Sequence, residues 1–405
     1  MLESDRDMFF NIEITAFGYT LDEVLLEVIV RTGGRIFQPG FKSSVWEGEK
    51  PLIYGELEFA NPLVDLARQF GEAMGKRAAL RSALGVKPDQ HVLKKLDEPH
   101  ERGAILVAAV FDAFFSVYMK KIEGLLQIAR DLSPNRIHPD IAKLLAVEAS
   151  KIAQNFLNIC IRSLDYCPPV DITFGDFLRA MITADYDLVR EDPHGYRGSL
   201  IDTFRLRGIQ PKGVVSYAEE SLRWTPAPTS DASAITLSEA DLDVLLSDET
   251  SGRDKAKLLH AFAVNNAEVL GLDSKTSRTI SIDGFHHLHR VGPDGRIKRE
   301  VVVQVVQRRE ELLDADDATL GSLMFLGGVT MVIVPSEKGG GLVRYAICKP
   351  MLGKDASDRL VRQRDFSTNT AFRLSHNVYA ESAELDAPAR IGAPEVNFAA
   401  IHRGY

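Results

Sequence analysis

Cysteine is scarce in this chain of 405 residues: only Cys160, Cys167 and Cys348 occur, and no two are spaced as CxxC. Such an odd, scattered set builds neither a disulfide framework nor a cysteine-rich zinc site, and it fits a reducing compartment, so a cytoplasmic location is expected. An excess of charge of one sign is also missing. With 48 basic and 57 acidic residues the net charge is -9, too mild and of the wrong sign to draw the protein to nucleic acid or anionic lipid. The N-terminus, Met1-Leu2-Glu3-Ser4-Asp5-Arg6-Asp7, lacks the basic start and apolar stretch of a signal peptide. No apolar run reaches bilayer length. The strongest, 103–119, carries Asp112 near its middle, where lipid burial would cost about 2.5–3.5 kcal/mol. A buried core helix is expected there, with no nucleic acid and no membrane among the partners. Gly-rich phosphate loops are absent as well: Gly327-Gly328 and Gly339-Gly340-Gly341 lack a following Lys-Ser/Thr, which leaves hairpin turns. Ser199 and Ser251 have no nucleophile-elbow context. The basic pairs Arg308-Arg309 and Arg362/Arg364 alternate with acids and read as solvated faces.

What remains is the composition of an ordinary globular chain, 45% hydrophobic and 26% charged, long enough to bury a core across about two to three domains. The pattern predicts an α+β protein, mainly a helical bundle followed by a smaller α+β domain with β-hairpins. Residues 1–96 read as a helical segment, in which Asn61-Pro62 starts a helix carrying Leu63, Leu66, Phe70 and Met74. The bundle covers 97–224. Its helices start at Asp97-Glu98-Pro99, near Pro139, after Thr173, and near Gly195, the last ending at Gly208. A linker at 225–235 contains Pro226 and Pro228. The α+β domain at 236–365 is expected to hold two short helical pieces, then strands at 279–282, 285–291, 297–307, 329–334 and 342–348. Gly292-Pro293-Asp294-Gly295 and Gly339-Gly340-Gly341 supply the hairpin turns. The remainder, 366–405, reads as an extended tail.

The histidines are the natural place to seek a metal or acid–base centre, yet no HExxH or HxxEH occurs. In His286-His287-Leu288-His289 an extended backbone puts His287 and His289 on one face about 7 Å apart, within reach of a shared divalent ion. The alternative is a solvated or packed strand face. His100 stands just inside a helix N-terminus, where backbone N–H groups favour negative charge, and an imidazole there can steady an oxyanion; a surface or capping role is the other reading. Asp112 lies about 18 Å further along the same helix and is expected to pair with another helix. Asp97 and Glu98 are the closer candidates to orient His100.

The run Pro99-His100-Glu101-Arg102-Gly103-Ala104-Ile105-Leu106, opening an apolar helix, resembles the segment of thermolysin-like zinc metallopeptidases, the gluzincins, that carries an oxyanion-stabilising histidine. Further matches follow in order: Thr173-Phe174-Gly175-Asp176-Phe177-Leu178-Arg179-Ala180, then Ala184-Asp185-Tyr186-Asp187-Leu188, then Phe204-Arg205-Leu206-Arg207-Gly208-Ile209. Together they cover 97–212, the part similar to the family's C-terminal helical domain. The later residues are similar to a β-rich extension in a bacterial branch. The resemblance implies a fold like the thermolysin C-terminal domain for 97–224, with His100 as oxyanion stabiliser. It also implies zinc as the parent family's cofactor and a peptide or protein substrate.

This chain departs from that pattern where the chemistry is done. The family's HExxH supplies two zinc ligands and a general base, and a later glutamate supplies a third ligand; only Glu13, in Asn11-Ile12-Glu13, faintly resembles it. Lys95 stands where the family orients its histidine with an aspartate. Zinc, base and oxyanion donor act together, and one donor contributes about 3–4 kcal/mol, far less than the whole barrier reduction. The sequence therefore predicts no zinc for this chain and no peptidase activity as it stands. It reads either as truncated, the zinc-binding half being a missing N-terminal portion, or as a pseudoenzyme that lost it. A non-catalytic scaffold, or a metal site at 286–289, are the alternatives.

Overall fold

A computed structural model of the chain describes residues 87–96, 99–132, 139–228, 234–291, 297–314 and 322–368. The expected helix at Asn61-Pro62, Glu13, and the tail from 369 on lie outside the described residues. The architecture is mixed α+β, helices first and then an antiparallel sheet of five strands. Two compact units divide it. One takes in the described residues up to Leu164 together with Thr173–Arg223; the other takes in Asp165–Ile172 and the described residues from Trp224 onward.

The helical unit holds α1 (Pro99–Leu132), α2 (Pro139–Ser163), α3 (Phe174–Leu188), α4 (Tyr196–Leu206) and the single turn α5 (Glu219–Leu222). Proline at the first position of α1 gives up no helical hydrogen bond, because its N–H would be unsatisfied there anyway. Just inside, Arg102 Nη1 donates to the carbonyls of Leu93 and Leu96 at 3.3 and 2.8 Å, tying the preceding 3₁₀ turn Leu93–Lys95 to the helix. Residues 103–110 are all buried. Small side chains at Ala108, Ala109 and Ala113 let neighbouring elements approach, while Leu106, Val110, Val117 and Ile122 fill the space between. Aromatic rings join α1, α2 and α4: Phe114 meets Phe156 edge-on at 6.1 Å, and Phe156 meets Tyr196 at 5.2 Å.

Local chemistry also sets the limits of α3 and α4. Thr173 Oγ1 accepts from the Asp176 N–H at 3.2 Å, and Asp176 Oδ2 accepts from the Thr173 N–H at 2.9 Å, a reciprocal capping box. Behind it Phe177, Leu178, Met181 and Ile182 are buried. Gly208, at φ +72°, turns the chain after α4, and a Cβ there would stand 2.1 Å from the Gln90 carbonyl oxygen, so both handedness and contact demand glycine.

In the second unit the strands are β1 (Thr236–Leu237), β2 (Ile280–Val291), β3 (Ile297–Leu312), β4 (Ser322–Pro335) and β5 (Gly341–Lys349), in spatial order β1-β5-β4-β3-β2. Both expected hairpin pairs, β2 with β3 and β4 with β5, are antiparallel neighbours. Strands β3 and β4 run well beyond 297–307 and 329–334, because a polar end, Arg308 to Glu311, continues the ladder against Leu326 to Leu323. Arg309 and Arg364 are consequently not on solvated faces. Arg309 donates to the Met351 carbonyl, Arg364 to the Leu312 carbonyl, and both pair with Glu311. Helix α8 (Gly353–Thr368) thus reaches past residue 366, where the tail was expected to begin.

Alternation in the strands gives the sheet two apolar faces. Val301, Val303, Val305, Val329, Met331, Ile333 and Val343 pack with Leu245 of α6 (Glu239–Leu246) and Leu259 and Ala263 of α7 (Gly252–Asn265). On the other side lies the segment Asp165–Ile172. Tyr166 meets Tyr345 at 5.5 Å, Thr330 Oγ1 donates to the Cys167 carbonyl at 2.7 Å, and Trp224 Nε1 donates to the Tyr166 carbonyl at 2.9 Å.

Candidate functional site

His100 is the second residue of α1, in the helix-start position the sequence predicts. Its side chain lies outside the described residues, as does the whole of Asp97.

The histidine strand is β2, whose register on β3 sets His286 against Val302, His287 against Val301 and His289 against Arg299. Neighbouring rings therefore go to opposite faces. His287 takes the helix side: a ring N–H donates to the Leu245 carbonyl, its buried Nε2 has no hydrogen-bond partner, and the Lys255 ammonium stands near. Burial first, and then Lys255, hold its pKa below the ordinary histidine value. His286 takes the other side, with Nε2 2.8 Å from Asp165 Oδ1. That partner, 121 residues away, has no signal in the local sequence. Among the described residues no three His, Cys, Asp or Glu side chains converge as a metal-binding group. With no HExxH in the sequence either, the described residues do not fit the zinc centre that the gluzincin resemblance implies.

Among the described residues an open concavity of about 410 Å³ lies between α1 and α4. Helical spacing builds it. Asp112 and Ser116, four apart, share one face of α1; Ser199, Asp202, Thr203 and Leu206 share one face of α4, and Pro88 closes the wall. The expected partner of Asp112 proves to be Arg207, the residue that caps α4, whose Nε and Nη2 both reach Oδ2, at 2.8 and 2.6 Å. Burial raises the Asp112 pKa above the usual carboxylate range, with the Arg207 charge and hydrogen bond opposing. Thr203 Oγ1 is satisfied by the Ser199 and Leu200 carbonyls. Ser199 is not: the residue is 4% exposed and its Oγ has no hydrogen-bond partner. At the rim Arg205 and Asp202 pair at 3.1 Å.

In the sequence Asp112 stands out as a charge in an apolar run, whereas the polar stripe of α4 carries only the weaker signal of serine, aspartate and threonine at helical spacing. Compared with models of protein families, with curated proteins and with solved structures, the chain matches none.

Proposed function

We propose that the helical unit is the C-terminal helical domain of a gluzincin-type metallopeptidase, and that this chain does not cleave peptide bonds with its own residues. One observation supports the kinship: several motif residues in 173–208 have a structural task. Thr173 and Asp176 cap α3, Phe177, Leu178 and Ala180 fill its buried face, Phe204 is fully buried on α4, and Gly208 makes the left-handed turn that ends it. Similar residues in the same order are accounted for if the packing is the same. In this reading His100, at the mouth of the buried helix α1, is the inherited oxyanion stabiliser. It has, in this reading, no metal-bound nucleophile to assist, since the sequence holds no HExxH and no donor set converges among the described residues.

An assay of the purified full chain with fluorescent casein in the presence of zinc tests this. No cleavage above background is expected. Hydrolysis that a chelator abolishes would overturn the inactive reading, and an experimental structure in which 97–212 is not helical would overturn the kinship.

A further inference from the structure

We propose that Tyr186, Arg190 and Arg223, on the surface of the helical unit, form a binding site for a phosphate group. The Arg223 guanidinium lies 3.8 Å from the centre of the Tyr186 ring and that of Arg190 5.6 Å. Both side chains hydrogen-bond to the phenol oxygen, so two sets of N–H donors converge on one exposed atom. The carboxylates around them are engaged elsewhere. Asp185 and Glu219 pair with Arg197, and Asp192 accepts from the Tyr196 and Gly198 N–H groups at the head of α4. Among the described residues neither Arg190 nor Arg223 has a carboxylate within ion-pair distance, which leaves two positive charges facing solvent over one phenol.

The main chain that carries both arginines is fixed from behind by two others. Arg197, 1% exposed, donates to the Val189 and Arg190 carbonyls at 2.8 and 2.9 Å. Arg179 donates to the Leu222 and Arg223 carbonyls at 3.0 and 3.3 Å. Donors placed in advance give up less freedom when a ligand arrives. A guanidinium fork matches two oxygens of a phosphate, and the phenol O–H, whose oxygen accepts from the arginines, is left to donate to a third. Two positive charges suit a dianion better than the single charge of a carboxylate. The phenol already senses this field: its hydrogen bond from Arg223, with the charges of Arg223 and Arg190, outweighs desolvation and holds its pKa below the ordinary tyrosine value, the direction expected where negative charge is stabilised. The site draws only on 179–223, so it stands whether or not the helical unit descends from peptidases.

Phosphorus NMR titrations of inorganic phosphate and of glycerol phosphate with the full chain at low ionic strength test the proposal, with acetate as a singly charged competitor. Saturable binding of at least one probe at millimolar concentration or tighter is expected, weakened by added sodium chloride. Arg190→Gln and Arg223→Gln should each weaken it about tenfold, as loss of one charged hydrogen bond does, and leave the unfolding midpoint in place. Tyr186→Phe keeps the ring beneath Arg223 and should weaken it less. Tighter binding of the ester names a phosphate monoester as the ligand, tighter binding of inorganic phosphate names the free ion, and either supports the site. Absence of saturable binding by both probes, acetate competing as well as phosphate, or binding unmoved by both arginine variants would overturn the proposal, and the first two outcomes are independent of whether the variants fold.

Discussion

Asp112, in the buried helix α1, holds Arg207, at the end of α4, through two hydrogen bonds to a single carboxylate oxygen, across 95 residues of sequence. Arg207 is 2% exposed. Removing the carboxylate takes the ion pair from a buried guanidinium, and breaking a buried pair in this way costs about 3–5 kcal/mol. Asp112→Ala is therefore expected to lower unfolding free energy by about 3 kcal/mol, read by urea denaturation. A loss below about 0.5 kcal/mol, the range of ordinary surface changes, would mean that solvent already screens the pair.

The α3 capping box is expected to behave as one unit. Thr173→Ala should cost about 1 kcal/mol, and Asp176→Ala a similar amount. Because the Thr173 hydroxyl also donates to Asp176 Oδ2 at 2.7 Å, a bond that either single variant already removes, the double variant should lose less than the two losses combined. Thermal unfolding of the three variants checks this, and strict additivity would contradict it.

His287 gives the protein a pH dependence whose direction follows from its surroundings. Burial and Lys255 depress its folded pKa, so the unfolded chain takes up a proton near the ordinary value of about 6.5 while the folded chain still resists. Below that pH the unfolded state binds more protons, and stability falls as pH drops through the window between the two values. Urea midpoints measured from pH 7.5 down to pH 5 should decline, and His287→Gln should flatten the decline. An unchanged slope in that variant would remove His287 as its source.

Much of the helical unit is legible in the sequence because its signals are local. Pro99, the Thr173–Asp176 spacing and Gly208 mark helix ends, and apolar residues at helical spacing mark the buried faces between them. The sheet is legible only where it is apolar. The ends of β3 and β4 escape because Arg308 to Glu311 break the hydrophobic alternation, and what continues the ladder there is ion pairing and support from Arg364 of α8. Least legible is what depends on distant residues. Asp165 beside His286, and the packing of 165–172 against the sheet, join pieces of chain more than a hundred residues apart. Likewise, the α1–α4 cavity appears only once Asp112 and Ser199 are brought together.

The zinc content of the purified chain, measured by plasma mass spectrometry after exhaustive dialysis and set beside its casein hydrolysis, bears most directly on the reading of this protein as a gluzincin-type chain without the zinc machinery. Far less than one zinc per chain, with no hydrolysis, is expected. One tightly held zinc per chain accompanied by chelator-sensitive cleavage would contradict it.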